Sequence, residues 1–349
     1  MKKVLAIDVG FGNLKAVWGR SDPGKSEIRR WNEICFKAVA HPALVDEADT
    51  GMGGTDRVLV TVRGNPFYVG PQATVGEGVR ALHEDYVSTD EYEALIVGAW
   101  AYMFKDTQTV TPTIDMLVLG LPVSRFKSTR ARLKEVGARF RQVPIPENLR
   151  DPPDSRLLEV RAAKVLVVPQ PFGGLRLASE DHQNRELFDD RVVSLMIDPG
   201  YNTFDWFVSN GMNPQLDLCG SFGGGVANIL RKVAVKISLD HGIEAPNFAH
   251  VESCLVSGSM NVGFKMINMR DYQNLATQEG RLAVSEFLQL FNPAKNQVSR
   301  IYLCGGGAEF YAQALRERLP GYHIEQMDEP VMANARGFWL AAFDSLSQS

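Results

Sequence analysis

Short apolar runs alternate with glycine-rich turns at the start of the chain. Residues 4–7 form one apolar run, a turn at 8–13 follows, and residues 14–18 form a second run. Apolar runs of this length, bounded by Gly, Asp and Asn, are typical of buried strands joined by tight turns. The pattern therefore predicts a β-hairpin at the N-terminus.

The rest of the first half predicts an inserted region, two helices and two strands. Residues 31–85 have no sustained period and several glycines, so we interpret them as an inserted subdomain. Residues 91–104 are apolar on one face, and Thr89 or Asp90 precedes them as an N-cap. The other predicted elements are strands at 116–121 and 165–168 and a basic helix at 124–141. The charges of the basic helix favour a solvated face over a nucleic-acid site.

The second half begins with the same order of elements. A strand at 192–197 precedes a turn at 198–202 and a second strand at 203–208. A second inserted subdomain is expected at about 238–290. The remaining predicted elements are helices at 222–237, 272–291, 308–319 and 329–346 and a strand at 301–303.

The two predicted hairpins share a sequence pattern. Ile7–Phe11 reads IDVGF and Ile197–Tyr201 reads IDPGY, and each segment lies between two strands. A repeated unit of this kind predicts duplicated domains, and 349 residues exceed the length that one hydrophobic core usually serves. We expect residues 1–180, completed by a C-terminal helix at 329–349, to form one α/β domain, and residues 181–328 to form the other.

Composition and charge argue against several classes of protein. Hydrophobic residues make up 45% of the chain and charged residues 22%, as in soluble globular proteins. The net charge of −4 argues against a protein that itself holds nucleic acid by its phosphates. No apolar stretch reaches the length of a membrane span, and Asp8 interrupts the first run too early for a signal peptide. We therefore expect a cytoplasmic protein without a membrane partner.

The two glycine turns have the chemistry of phosphate-binding loops. Successive backbone N–H groups in a tight turn bind phosphate oxygens, and Gly10, Gly12 and Gly200 permit close approach. Lys15 follows the first turn, and we expect its ammonium group to reach a phosphate. We expect the side chains of Asn13 and Thr203 to offer hydrogen bonds to the same oxygens.

Each turn begins with an aspartate at a strand end. Asp8 and Asp198 are placed to hold Mg²⁺ through its waters, because magnesium dehydrates reluctantly. Aspartate also caps turns with no further role. Two matching turns in one chain favour the functional interpretation over this structural one.

A third glycine-containing segment matches the sequence pattern of a P-loop, a different class of phosphate-binding loop. Gly19–Ser26 satisfies the pattern G-x-x-x-x-G-K-S. A true loop of this kind leads into a helix, whose N-terminus helps to hold the phosphates. Residues 27–31 alternate as a strand does, so we interpret the match as chance.

Five segments, in order along nearly the whole chain, resemble the motifs of the actin-like ATPases of the actin, Hsp70 and sugar-kinase superfamily. The resemblance is closest to the plasmid-segregation branch, the ParM/StbA proteins. The segments correspond to a first phosphate loop (7–15), the segment that orients the attacking water (167–171), a second phosphate loop (197–205), an adenosine motif (302–309) and a connecting helix (333–339).

The resemblance implies two duplicated actin-like (ribonuclease H-like) domains of α/β class with a nucleotide cleft between them, each with a smaller inserted subdomain. Asp8 and Asp198 then face each other across the phosphates as the catalytic and metal-holding carboxylates. The implied nucleotide-binding residues are Gly10, Phe11, Gly12, Asn13, Lys15, Gly200, Tyr201, Asn202, Thr203, Gly223, Gly224, Gly305, Gly306, Gly307 and Glu309. A plain helix start explains the glycines at 223–225 equally well.

The chain departs from the family pattern at several positions. Phe11 stands where many relatives have Ser or Thr, so one hydroxyl is missing from the first loop, and Pro199 and Tyr201 replace small or apolar residues in the second. Gln170 stands at the water-orienting position. Glutamine positions water but is not a strong base, which implies slow hydrolysis. The alternative for Gln170 is a turn residue beside Pro169.

The resemblance implies an ATPase with ATP and Mg²⁺ as cofactors. It further implies self-assembly into ATP-dependent filaments that segregate plasmid DNA through a DNA-binding adaptor protein, without direct contact to nucleic acid. Two alternatives stay open. One is a small-molecule kinase of the same superfamily, for which the sequence offers no convincing catalytic aspartate; the other is a nucleotide-dependent clamp that forms no polymer.

Overall fold

The structure is a computed structural model that describes residues 2–21, 31–43, 56–73, 85–181, 187 and 189–347. Its contacts divide the chain into two compact units. Unit 1 comprises Met1–Leu177 and Asn334–Ser349, and unit 2 comprises Ala178–Ala333. The predicted domain boundaries, after residue 180 and before residue 329, lie within a few residues of the boundaries between these two units. Among the described residues, no helix is long and apolar enough to cross a membrane.

Unit 1 is built on a six-stranded sheet with the order β3-β2-β1-β7-β9-β8. The strands of the unit are β1 (Lys2–Val9), β2 (Asn13–Ser21), β3 (Trp31–Lys37), β4 (His41–Pro42), β5 (Val58–Val62), β6 (Asn65–Val69), β7 (Thr113–Leu121), β8 (Arg141–Pro144) and β9 (Leu157–Pro169). Strand β1 pairs antiparallel with β2 and parallel with β7. Its apolar run is therefore buried at the centre of the sheet, and the predicted hairpin is confirmed.

The predicted insertion at 31–85 begins too early. Strand β3 pairs along its length with β2, with Leu14 opposite Phe36, so it belongs to the main sheet. A separate three-stranded sheet, of order β4-β6-β5, follows it. The parts of the predicted insertion at 44–55 and 74–84 lie outside the described residues.

Eight α-helices lie in the described residues. They are α1 (Asp90–Thr107), α2 (Val123–Gly137), α3 (Gln170–Ala178), α4 (Val226–His241), α5 (Phe248–Ser257), α6 (Arg270–Leu290), α7 (Ala308–Arg318) and α8 (Ala333–Ser347). Two short 3₁₀ turns occupy Tyr86–Ser88 and Glu147–Leu149. Thr89 is the N-cap of α1, since its hydroxyl accepts a hydrogen bond from the Tyr92 N–H at 3.2 Å. This confirms one of the two predicted caps.

The predicted basic helix at 124–141 is too long. Helix α2 ends at Gly137, and Arg141 instead begins β8. The Arg141 side chain is buried against Glu93 of α1, with Nε 2.6 Å from Oε1, and it donates to the carbonyl of Gly137. Burial of a charge requires such partners, and the sequence places Glu93 too far away to reveal the pair.

Unit 2 repeats the sheet pattern of unit 1. Its strands are β10 (Val193–Pro199), β11 (Phe204–Asn210), β12 (Asn213–Pro214), β13 (Gly220–Phe222), β14 (Ser259–Val262), β15 (Lys265–Asn268), β16 (Arg300–Leu303) and β17 (Ile324–Gln326). The main sheet has the order β12-β11-β10-β16-β17, with β13 paired to β11. Strand β10 pairs antiparallel with β11 and parallel with β16, as β1 does with β2 and β7. The predicted duplication is present in the strand pairing.

The predicted second insertion at 238–290 does not form a core of its own. Phe287 of α6 lies 5.3 Å from the ring of Phe204 and 5.5 Å from that of Trp206, so α6 packs on the main sheet. Val251 of α5 and Met260 of the β14–β15 hairpin belong to the same hydrophobic cluster. The apolar face of α6 therefore makes it part of the unit 2 core.

Candidate functional site

The first glycine turn is closed by a backbone hydrogen bond. Gly10 N–H donates to the Asn13 carbonyl at 3.1 Å, and the Gly12 carbonyl accepts from Ala38 N–H at 3.2 Å. A Cβ at Gly10 would lie 3.0 Å from Nζ of Lys15. Glycine therefore leaves the space that the lysine side chain occupies beside the turn.

In unit 1, Asp8 accepts hydrogen bonds from two other predicted site residues. Its side chain is buried, with 1% of the residue exposed. Lys15 Nζ donates to Oδ2 at 2.8 Å, and Gln170 Nε2 donates to Oδ1 at 2.6 Å. Such charge-assisted bonds offset the cost of burying the carboxylate. The structure thus brings Asp8, Lys15 and Gln170 into one cluster.

Gln170 reaches Asp8 because of the order of parallel strands. It is the first residue of α3, directly after β9, and not a turn residue. Strands β1, β7 and β9 are parallel neighbours, so their carboxyl ends lie at one edge of the sheet. A Cβ at Gly120 of β7 would lie 3.1 Å from Cγ of Gln170 and 2.6 Å from the Phe338 ring. Gly120 lies on β7, between β1 and β9, and its lack of a side chain makes room for Gln170.

Phe11 makes an aromatic contact that the sequence does not reveal. Its ring stacks on Tyr86 with a centroid distance of 6.0 Å and an interplanar angle of 28°. Tyr86 in turn meets Tyr92 edge-on at 5.2 Å. Burial, with smaller contributions from the charges of Tyr86 and Asp8, raises the pKa of the Tyr92 phenol. The first loop is therefore anchored through rings to the start of α1.

The second glycine turn repeats the first. Gly200 N–H donates to the Thr203 carbonyl at 2.8 Å, as Gly10 does to Asn13. Asp198 is buried and lies opposite Asp205 in the register, whereas Asp8 lies opposite Lys15. The Thr203 hydroxyl donates to Asp205 Oδ2 at 2.5 Å. The second hairpin therefore has a buried carboxylate, Asp205, at the position where the first hairpin has the ammonium group of Lys15. The sequence pattern predicted no individual role for Asp205.

The glycines after β16 lie against the second turn. Gly305 has φ +84, and a Cβ there would lie 2.1 Å from Oδ1 of Asp198, so a larger residue does not fit. Gly307 N–H donates to the Pro199 carbonyl at 2.8 Å. The segment predicted as the adenosine motif is thus joined to the predicted second phosphate loop.

The glycines at 223–225 also contact that loop. Gly225 N–H donates to the Asn202 carbonyl at 3.2 Å, and Ala227 N–H donates to the Tyr201 carbonyl at 2.7 Å. Helix α4 begins at Val226, and Phe222 belongs to β13, so the predicted helix start at 222 is wrong. The turn therefore leads from a short strand into the helix while it packs on the second loop.

The other predicted residues occupy mixed environments. Tyr201 is partly buried against the unit 2 core. Gly306 and Glu309 are exposed at the start of α7. A Cβ at Gly223 would have no heavy atom of the described residues within 4 Å, so the surroundings of this glycine are open. Residues 22–26 of the chance phosphate-loop match lie outside the described residues.

Two family profiles match the chain. Residues 6–173 match the actin-like proteins N-terminal domain, and residues 196–317 match the C-terminal domain of the archaeal actin homologue MreB-like proteins. Together they cover more than four fifths of the sequence. The chain belongs to the actin-like proteins.

Solved structures of other actin-like proteins have the same fold. The archaeal actin homolog Ta0583 matches with a TM-score of 0.75 and 19% identity, over 98% of this chain and 99% of that one. Its complex with ADP matches with a TM-score of 0.72 and 18% identity, over 99% and 100%. A 15-stranded ParM filament from Clostridium botulinum matches with a TM-score of 0.75 and 17% identity, over 98% and 99%. No curated protein sequence matches the chain. The predicted actin-like fold is confirmed.

The two hairpins offer carboxylate oxygens, which are donors of the kind that magnesium binds. No group of three or more His, Cys, Asp or Glu side chains that could hold a metal occurs among the described residues. Each hairpin instead provides a buried carboxylate beside a glycine turn, at Asp8 and at Asp198. Magnesium keeps several waters and binds through one or two carboxylates plus substrate phosphates. The oxygen chemistry of these two residues fits that mode.

Proposed function

We propose that this actin-like protein binds and slowly hydrolyses ATP and assembles into filaments in an ATP-dependent manner. The observation that carries the proposal is the cluster of Asp8, Lys15 and Gln170, in which a carboxylate, an ammonium group and an amide meet beside a glycine turn. Phosphoryl transfer to water needs neutralisation of the phosphate charge and orientation of the attacking water. The ammonium group suits the first role and the amide suits the second.

Residues of unit 1 have separate proposed roles at the terminal phosphate. Gly10 and Gly12 offer backbone N–H groups, and Lys15 offers a positive charge held in place by Asp8. Gln170 orients the attacking water. Its amide nitrogen already donates to Asp8, so its carbonyl oxygen is the atom that accepts a hydrogen bond from water. Without a strong base, hydrolysis is slow.

The loops of unit 2 complete the proposed site. In this proposal the loop at 200–203 would bind the phosphates through its backbone. The glycines at 305–307 and Glu309 would contact the adenosine, and the turn at 223–225 would lie beside it. Asp8 and Asp198 would hold Mg²⁺ through its waters from opposite walls of a cleft. When bound, the ion neutralises charge on the phosphate oxygens.

ATP and assembly are linked in this proposal. A nucleotide that contacts loops of both units favours the closed arrangement by its differential contacts. A head-to-tail contact between copies that also prefers closure is then strengthened by ATP, and it strengthens ATP binding in return. Such a heterologous contact does not close on itself and propagates as a filament. The similarity to a ParM filament supports this arrangement.

The proposed cellular role is the segregation of plasmid DNA in the cytoplasm, as in the ParM/StbA proteins. The net charge of −4 favours an adaptor protein over direct contact with DNA. A non-polymerising clamp and a small-molecule kinase are the competing functions.

Sedimentation and electron microscopy with a slowly hydrolysed ATP analogue test the proposal. The parental protein is expected to pellet and form filaments with the analogue and Mg²⁺ but not without nucleotide. Asp198→Ala is expected to stay in the supernatant, because it loses a proposed metal-holding carboxylate. A parental protein that binds the analogue but never pellets supports the clamp or the kinase.

A further inference from the structure

Tyr311 joins two glycine segments of unit 2. It is fully buried in α7, and its hydroxyl donates a hydrogen bond of 2.6 Å to the backbone carbonyl of Gly224. Burial raises the pKa of the phenol. The group therefore keeps its proton and remains a donor at physiological pH.

The carbonyl that Tyr311 holds belongs to the turn at 223–225. The other side of this turn is bonded to the second loop, through Gly225 N–H to the Asn202 carbonyl and Val226 N–H to the Gly200 carbonyl. A Cβ at Gly225 would lie 2.4 Å from the backbone of Asn202. The turn therefore lies between the second loop and α7, in contact with both.

Helix α7 is fixed to the second loop at its own start. Gly307 N–H donates to the Pro199 carbonyl at 2.8 Å, and Tyr311 follows about one helical turn later. The Tyr311 ring meets Phe204 of β11 edge-on at 5.3 Å. The contact with Phe204 therefore fixes the orientation of the Tyr311 ring, and with it the position of the Tyr311 hydroxyl.

We infer that Tyr311 is a positioning residue, which holds the turn at 223–225 in place against the loops at 198–203 and 305–307. The inference rests on the proposed nucleotide site, which these three segments would form in unit 2. Tyr311 acts through the Gly224 carbonyl and not by contact with nucleotide. Loss of its hydroxyl leaves a buried acceptor unsatisfied, so the turn relaxes away from its place on the loop.

Tyr311→Phe tests this role, with Tyr272→Phe as the matched control. Tyr272 is a buried tyrosine of the same unit, and its hydroxyl bonds to Asp240 and His241, outside all three segments. Titration of full-length protein with a fluorescent ADP analogue measures affinity. We expect Tyr311→Phe to raise the dissociation constant about fivefold to tenfold and Tyr272→Phe to leave it within about twofold of the parental value.

Hydrogen exchange of the nucleotide-free proteins separates positioning from general loss of stability. Tyr311→Phe is expected to speed exchange at the amides of residues 224–227, while Tyr272→Phe leaves those amides unchanged. Parental affinity in Tyr311→Phe, or exchange that rises equally throughout unit 2, overturns the inference. A parental protein that binds no ADP overturns the proposed nucleotide site instead, and the exchange measurement still decides whether Tyr311 holds the turn.

Discussion

Gln170 donates its side-chain amide to the carboxylate of Asp8, with 2.6 Å between Nε2 and Oδ1. A carboxylate only accepts hydrogen bonds, so the amide nitrogen faces Asp8 and the carbonyl oxygen faces away. The bond therefore fixes both the place and the orientation of the glutamine. It joins the first residue of α3 to the end of β1, which are 162 positions apart in the chain.

Replacement of Gln170 separates hydrolysis from binding. Gln170→Ala is expected to slow ATP hydrolysis about 100-fold, since the group proposed to orient the nucleophile is lost, and to leave ATP affinity within about threefold. Phosphate release and a binding titration measure the two effects. Gln142→Ala, which alters an exposed glutamine of β8, is the control and should match the parental protein. Equal hydrolysis by Gln170→Ala and the control would remove Gln170 from the mechanism.

Two lysines distinguish the proposed site from the chance phosphate-loop match. Lys15→Ala is expected to weaken ATP binding about tenfold or more, because the ammonium group proposed to contact the phosphates disappears. Lys25→Ala is expected to change affinity less than about twofold. Calorimetric titration of both variants provides the comparison. The reverse ranking would favour a phosphate loop at 19–26.

Phe11 allows a test of how the first loop is held. If the stack on Tyr86 positions the loop, Phe11→Ser weakens nucleotide binding, because an aromatic contact of about 0.5–1.5 kcal/mol is lost. Phe11→Tyr keeps the stack and should bind as the parental protein does. Tighter binding by Phe11→Ser would show that a hydroxyl at this position matters more than the ring.

The sequence was sufficient for the parts of the fold that depend on local patterns. The hairpins at β1–β2 and β10–β11 follow from apolar runs around glycine turns, and their repetition predicted the duplicated sheets. Residue type limited the cap of α1 to Thr89 or Asp90, and the structure shows that it is Thr89. In these cases the determining residues are neighbours in the chain.

Contacts between distant residues account for the errors and omissions. Arg141 was placed on a solvated helix face because its partner, Glu93, lies far away in sequence. Phe36 gave no indication that β3 joins the main sheet, since pairing depends on a register with β2. Tyr311 resembles any core tyrosine of an amphipathic helix until its hydroxyl is seen to meet Gly224.

The ion pair of Glu33 and Arg336 makes the stability of unit 1 depend on pH. Arg336 donates from Nε and Nη2 to the two Glu33 oxygens at 2.8 and 2.6 Å, and this hydrogen bonding, opposed in part by burial, lowers the pKa of Glu33. A carboxyl whose pKa is lower in the folded state stabilises the fold above its unfolded pKa. That contribution is lost as the pH falls through the folded pKa.

Glu33→Gln is therefore expected to lower the thermal midpoint at about pH 7, and the difference from the parental protein should shrink towards about pH 3. Differential scanning calorimetry across this range measures both. Glu135→Gln, which alters an exposed i,i+3 pair with Arg132, should have little effect at any pH. A difference for Glu33→Gln that stays constant with pH would mean that the pair adds no pH-dependent stability.

Light scattering after a single addition of ATP tests the proposed ATP-dependent assembly most directly. With the parental protein and Mg²⁺, the account predicts that scattering rises as ATP binds and falls as ATP is consumed. With Gln170→Ala it predicts the same rise and a much slower fall, because the nucleotide is hydrolysed slowly. A flat trace from the parental protein at high concentration, under conditions in which it binds ATP, would contradict assembly and favour a clamp or a kinase.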